Sequence, residues 1–188
     1  MTDLLRPKDV HVWHLEMKEA TARKEPPNQR YELRKVRKPL PEFNRFLYVT
    51  VGAPWMWYMR LNWSWQHWAE FLDRDGVETW VAYQEGTPVG YFELESQLGT
   101  QTEICYFGLV PEFIGLGLGK ALLEDAIDRA WRIAKTRIWL HTCSLDHSAA
   151  LPNYLARGFK VFKEQNFKEM IPSESLEPWP RANKPSIR

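Results

Sequence analysis

The sequence predicts a single mixed α/β domain, and three observations carry that prediction. Strand-like and helix-like runs interleave along the chain. One strand is followed by a glycine-rich turn, a long amphipathic helix and another strand, which is the pattern of a crossover between neighbouring strands. And 188 residues with 44% hydrophobic content can bury one sizeable core rather than two.

Residues 8–17, KDVHVWHLEM, alternate as a strand does, and YELRKV at 31–36 is a second extended piece. Residues 18–38 carry eight Lys or Arg against three Glu, with Pro26 and Pro27 in the middle, and read as a solvated loop flanking a strand. Attraction of the anionic phosphates of a cofactor, or of an acidic partner, is the functional alternative for that run. Pro41 opens a short helix, PEFNRFLYVTVG, which Gly52 and Pro54 stop. Five tryptophans follow, at 55, 57, 63, 65 and 68. From Ser64 the spacing predicts a helix with Trp65, Trp68, Ala69 and Leu72 on one buried stripe, ended by Asp75 and Gly76. Trp55, Trp57 and Tyr58 do not fit that stripe, which leaves them to line a cleft or to pack in the core.

ETWVAYQ and PVGYFELESQ, joined through EGT, form a predicted hairpin, and TEICYFGLV is the next strand. The helix that follows, about 118–134, puts Leu122, Leu123, Ala126, Ile127, Ala130, Trp131 and Ala134 on one face. Asp125 with Arg129 and Asp128 with Arg132 sit at i,i+4 on the other. RIWLHTC is a strand, AALPNYLAR a short helix closed by Gly158, and FKVFKEQ a last strand. Pro152 well inside the short helix removes an N–H, so that helix is expected to begin late or bend. Residues 1–170 form the expected domain, and 171–188, rich in Pro and polar residues, a loose tail.

Composition bounds the function. Lys plus Arg at 25 against Asp plus Glu at 24 gives no field that would favour nucleic acid or an anionic membrane. The opening MTDLLRPKDVHVWHL lacks the pattern of a secretory leader, and no stretch approaches the ~20 apolar residues of a membrane helix, so a cytoplasmic protein is expected. Cys105 and Cys143 are too few for a disulfide scaffold or a structural zinc site. With His141 and His147 six apart, no metal site is expected.

The glycine loop, FIGLGLGKALLEDAI at 113–127, fails two nucleotide templates. In the dinucleotide pattern G-x-G-x-x-G the third glycine falls on Lys120 or Leu122, and in the phosphate-loop pattern Ile114 and Ala121 stand where glycine and a hydroxyl belong. A glycine turn opening a helix still exposes N–H groups beside the positive end of the helix dipole, which suits phosphate. The alternative is a tight strand-to-helix turn and nothing more.

LVPEFIGLGLGKALLEDAI after one strand and DHSAALPNYLARGF after the next resemble the GNAT superfamily of acetyl-CoA-dependent N-acetyltransferases, over roughly residues 78–165. The family signature, Arg or Gln, two residues, Gly, one residue, Gly or Ala, falls on Ile114, Gly117 and Gly119, with Ile114 a departure. Its second half falls on Ala150, Tyr154, Gly158 and Phe159, with His147 where the family has Asn. The resemblance implies a mixed central sheet splayed around an acetyl-CoA site and flanked by helices. It implies acetyl-CoA as cosubstrate, held by Leu109, Val110, Gly115, Gly117, Leu118, Gly119, Lys120 and His147. It also implies direct attack by an amine in a ternary complex, with Glu103 as base and Tyr154 as acid. Glu93, Glu95, His141 and Asp146 could reach the cleft, and with Trp55, Trp57 and Tyr58 two of them, Glu93 and His141, are candidates for substrate contact. The tryptophans hint at an apolar or aromatic amine or a peptide, and equally at a homodimer face. A covalent route through Cys143 is a minor alternative. A non-catalytic acyl-CoA-binding module of the same fold is the alternative from another class; Glu103 and Tyr154 argue against it, because a binder needs neither.

Overall fold

The computed structural model describes residues 5–22, 30–97, 100–174 and 176. Seven strands form one sheet: β1 (Leu5–Met17), β2 (Glu32–Lys35), β3 (Val77–Gln84), β4 (Thr87–Gln97), β5 (Gln101–Leu109), β6 (Arg137–Cys143) and β7 (Lys160–Pro172). Their order across the sheet is β2-β3-β4-β5-β6-β1-β7. Four helices accompany them: α1 (Pro41–Gly52), α2 (Trp65–Leu72), α3 (Leu118–Ile133) and α4 (Ala150–Ala156).

Local chemistry accounts for the element ends. Pro41 occupies the first turn of α1, where its missing N–H would have had no intrahelical acceptor. Ser64 caps α2 by accepting from the His67 N–H at 3.1 Å. The β3–β4 turn is tighter than the sequence suggests. Glu85 and Gly86 both take positive φ, and Gln84 faces Thr87, so two residues close the hairpin in the twist that suits it. Pro152 neither delays nor truncates α4: the helix begins at Ala150, which puts the proline in the first turn.

The sheet is covered on both faces, which explains why β4 is buried from Val89 to Leu94. Against one face α3 packs Leu118, Leu122, Leu123, Ala126 and Ile127 onto Leu15, Phe92, Leu94, Ile104, Ile138 and Leu140. Against the other, α1 brings Leu47 and Val51 to Val81 and Tyr91, and Tyr48 of α1 with Trp68, Phe71 and Leu72 of α2 packs beside Val77 and Tyr106. Two residues of the expected i,i+4 pairs on α3 reach other elements. The Tyr31 hydroxyl donates to Asp125, and the Arg129 guanidinium lies 4.4 Å from the centre of the Trp80 ring. Trp65, expected in the core stripe of α2, is 58% exposed and donates to Glu42 instead, because the helix turns only Trp68, Phe71 and Leu72 inward. At the C-terminus Ile171 and Pro172, expected to open the tail, still belong to β7, where they face Arg6 and Leu5. Residues 175 and 177–188 of that tail, and 23–29 of the basic loop with Pro26 and Pro27, lie outside the described residues.

One departure from sheet regularity positions everything that follows. Every pairing is antiparallel except β5 with β6, which is parallel and covers only Gln101–Glu103 against Arg137–Trp139. Beyond Glu103 the two strands separate, while β5 stays paired to β4 as far as Leu109 and β6 to β1 as far as Cys143.

Candidate active site

Where β5 separates from β6 lies a cavity of about 1200 Å³. The Ile104–Leu109 stretch of β5 forms one wall; the end of β6 (His141 to Cys143), β1 (Val10, Val12, His14) and β7 (Gln165, Phe167, Glu169) form the other. Gly115, Gly117, Gly119 and Lys120 close one end, and Trp55 to Met59 and α4 reach over the opening.

At the glycine loop the backbone does the positioning. Gly115 and Gly117 have φ of 83° and 75°, a region that a Cβ disfavours, and Gly117 is the N-cap of α3. A Cβ on Gly115 would meet nothing within 4 Å, so its outer side is open. The first N–H groups of α3 have no intrahelical acceptor, and Lys120 adds a cation at the cavity wall. This combination fits an anionic phosphate.

A residue outside the glycine motif lies against the same loop. Arg30 donates from Nη1 to the Leu116 carbonyl at 2.9 Å, and its Nη2 is 3.4 Å from where a Cβ on Gly117 would stand. Only the basic composition of residues 18–38 signalled it. Ile114, on the signature's Arg or Gln position, lines the cavity without charge. Leu118 is 2% exposed and serves the core, and the Val110 N–H is taken by the Val89 carbonyl at 2.9 Å; Leu109 remains on the wall.

Of the candidate acid and base, Tyr154 lines the cavity and Glu103 does not. Tyr154 projects from α4 between Phe107 and Phe159, each with its ring centre 6.2 Å away and roughly edge-on. Burial, with a smaller push from Asp146, raises its phenol above the ordinary tyrosine range, so the hydroxyl stays protonated. Arg157, one turn on, is buried with its Nε 3.6 Å from Glu124 of α3, tying α4 to the helix that carries the glycine loop. Glu103 does not itself line the cavity. It sits at the last paired position of β5, accepts from Gln97 at 3.2 Å, and lies 3.4 Å from Nδ1 of His141, which does line it. His147 accepts the Ala149 N–H on Nδ1 at 3.0 Å, which leaves Nε2 as its donor, and it faces Trp55 edge-on at 5.1 Å.

The tryptophans divide into three groups. Trp55 and Trp57, with Tyr58, line the cavity, and the Trp57 ring packs so closely on Gly52 that a Cβ there would come within 2.2 Å of it. Tyr58 donates to Glu169 of β7 at 2.7 Å, and burial raises its phenol. Trp63 and Trp68 enclose Arg60 together with Phe71 and Tyr106, with ring centres 4.2 to 5.6 Å from the guanidinium carbon. Trp65 faces outward. Arg60, which belongs to no motif, pairs with Glu93 at 2.9 Å, and Glu93 is 1% exposed. Burial raises that carboxyl against the pull of Arg60. Glu93 is therefore not brought to the cavity; it anchors the layer behind it. Glu95 is likewise engaged, by Arg74 at 2.8 Å, and Asp146 accepts from Thr142 and the Cys143 N–H. Cys143 lines the cavity, but burial raises its thiol, which opposes a thiolate nucleophile.

The model of the acetyltransferase (GNAT) family matches residues 37–159. The chain belongs to the GNAT family. Among solved structures the GNAT fold recurs in a GCN5-related N-acetyltransferase from Sphaerobacter thermophilus, with TM-score 0.61 and 16% identity over 93% of this chain and 55% of that one. It recurs in one from Kribbella flavida, with TM-score 0.58 and 15% identity over 87% and 59%. The ribosomal-protein-S18-alanine N-acetyltransferase of Escherichia coli aligns with TM-score 0.53 and 18% identity over 69% and 77%. The chain thus spans little more than half the length of the first of these. No curated protein matches it. Among the described residues no helix is long and apolar enough to cross a membrane.

Proposed function

We propose that this GNAT protein transfers an acetyl group from acetyl-CoA to a primary amine by direct attack in a ternary complex. The observation that carries the reading is the cleft itself: β5 and β6 part just past Glu103, with the glycine loop at one end and Tyr154 and His141 in the walls. The phosphates would rest on the glycine loop and the start of α3. Arg30 would supply the guanidinium that Ile114 does not, and the pantetheine arm would run along β5 past Leu109 towards His147.

An amine with a lysine-like pKa of ~10 is about one part in a thousand neutral at pH 7, so the site must take a proton. His141, in the wall, would take it, oriented by Glu103 behind; the base expected at Glu103 thereby becomes a pair. The neutral nitrogen then attacks the thioester carbonyl, the carbon–sulfur bond breaks as the Tyr154 hydroxyl protonates the leaving thiolate, and the second proton shed by the acylated nitrogen returns through solvent to the tyrosinate. Trp55, Trp57 and Tyr58 would hold an apolar or aromatic part of the acceptor, a small molecule or a peptide.

Thiol release from acetyl-CoA across amines, polyamines, amino acids and peptides tests the proposal. Tyr154→Phe should lower kcat about 10²-fold while leaving acetyl-CoA affinity unchanged. Acetyl-CoA binding without thiol release for any amine would point to a binding module instead.

A further inference from the structure

β7 is an edge strand of 13 residues, and its outward backbone has no strand partner among the described residues. Phe162, Phe167 and Met170 on it are 44%, 43% and 50% exposed. A long exposed edge of this kind invites pairing with another strand. The sequence of β7, KVFKEQNFKEMIP, carries information about which one. Folded back antiparallel on itself about Asn166, it sets Lys163 opposite Glu169, Glu164 opposite Lys168 and Phe162 opposite Met170. Centring the pairing on Gln165 or Phe167 instead yields no opposite-charge pair and puts Phe162 opposite Lys168 or Lys163 opposite Ile171.

We propose that two copies of this chain associate through β7, antiparallel about a two-fold axis at Asn166, making one continuous sheet. Each complementary pair then occurs twice, as an isologous interface requires. The stretch concerned, Lys163 to Pro172, is regularly paired to β1; the irregularity in that ladder lies at Phe162, beyond the charged pairs. Gln165, Phe167 and Glu169 line the cavity, so the association extends the cavity wall and places the partner subunit's Lys163 beside the Tyr58 and Glu169 pair.

Sedimentation of the full chain should give a species of twice the 22.3 kDa chain mass. Glu164→Lys, which sets like charges opposite each other at two symmetric places, should raise the dimer dissociation constant about tenfold or more. Adding Lys168→Glu should return it to within about threefold of the wild type. Should Glu164→Lys fail to fold, Asn166→Cys decides: residues directly opposite across an antiparallel pair are about 4.5–5.5 Å apart, so this variant should form a disulfide-linked dimer on mild oxidation and Lys160→Cys should not. A monomeric wild type would overturn the proposal. So would a dimer indifferent to both charge variants, or one in which Asn166→Cys does not cross-link.

Discussion

The two ends of the cavity are built by different means. The glycine-loop end is backbone: two left-handed glycines, the N-terminal turn of α3, and the Arg30 guanidinium laid on the Leu116 carbonyl. The aromatic end is side chain on side chain, with Trp57 seated on Gly52 and a layer behind it in which four rings and Glu93 enclose Arg60. Backbone sites depend on a few conformations that only certain residues adopt, so they leave a short motif. Side-chain sites depend on packing among residues far apart in sequence, so they tolerate many solutions and leave none.

That contrast can be broken most sharply at Gly117. Gly117→Leu forces a Cβ into a left-handed position and against Arg30, and should weaken acetyl-CoA binding by about a thousandfold, read by calorimetry, with the fold retained by circular dichroism. Retained affinity would remove the phosphates from this loop. At the other end, Arg60→Met should leave binding to the glycine loop alone and cost about 3–5 kcal/mol of stability in denaturant, because Glu93 is then buried without its partner. Arg60→Met combined with Glu93→Gln should recover much of that loss, and an equal loss in both would mean that the rings rather than the ion pair carry the layer. A smaller effect is expected at Arg30. Arg30→Ala should weaken acetyl-CoA about tenfold and leave S-acetylpantetheine, which lacks the nucleotide phosphates, unaffected. Equal losses for both ligands would make Arg30 a support for the loop and no more. Least of all, Trp65→Ala should change stability within about 0.5 kcal/mol and leave turnover as it is, since Trp65 alone of the five tryptophans faces solvent.

Much of the architecture was legible because local chemistry marks it. Pro41, Ser64, the Glu85–Gly86 turn and the glycines before α3 each mark an element end through a requirement of their own, and α1 and β6 have the bounds the sequence predicts. The errors have a common origin. Trp65 fits an apolar stripe by spacing, yet it opens the helix, and the core-facing positions further along are taken by Trp68, Phe71 and Leu72. The Asp125 and Arg129 pair fits i,i+4 spacing, yet Tyr31 and Trp80 from other elements lie against those residues. Glu93 stands in register one pairing step from the splayed strand, but an arginine from 33 positions earlier claims it.

By itself, then, the sequence determined what depends on one residue's backbone freedom or on the period of a single element: the order of strands and helices, the glycine loop and the family it resembles. The tertiary structure decided what depends on which distant side chains meet. It parted β5 from β6 and set His141 between Glu103 and the cavity, brought Arg30 to the loop where Ile114 supplies no charge, and sorted five tryptophans into wall, core and surface. Those outcomes turn on burial and close packing between elements, and neither is written in the spacing of residues along any one of them.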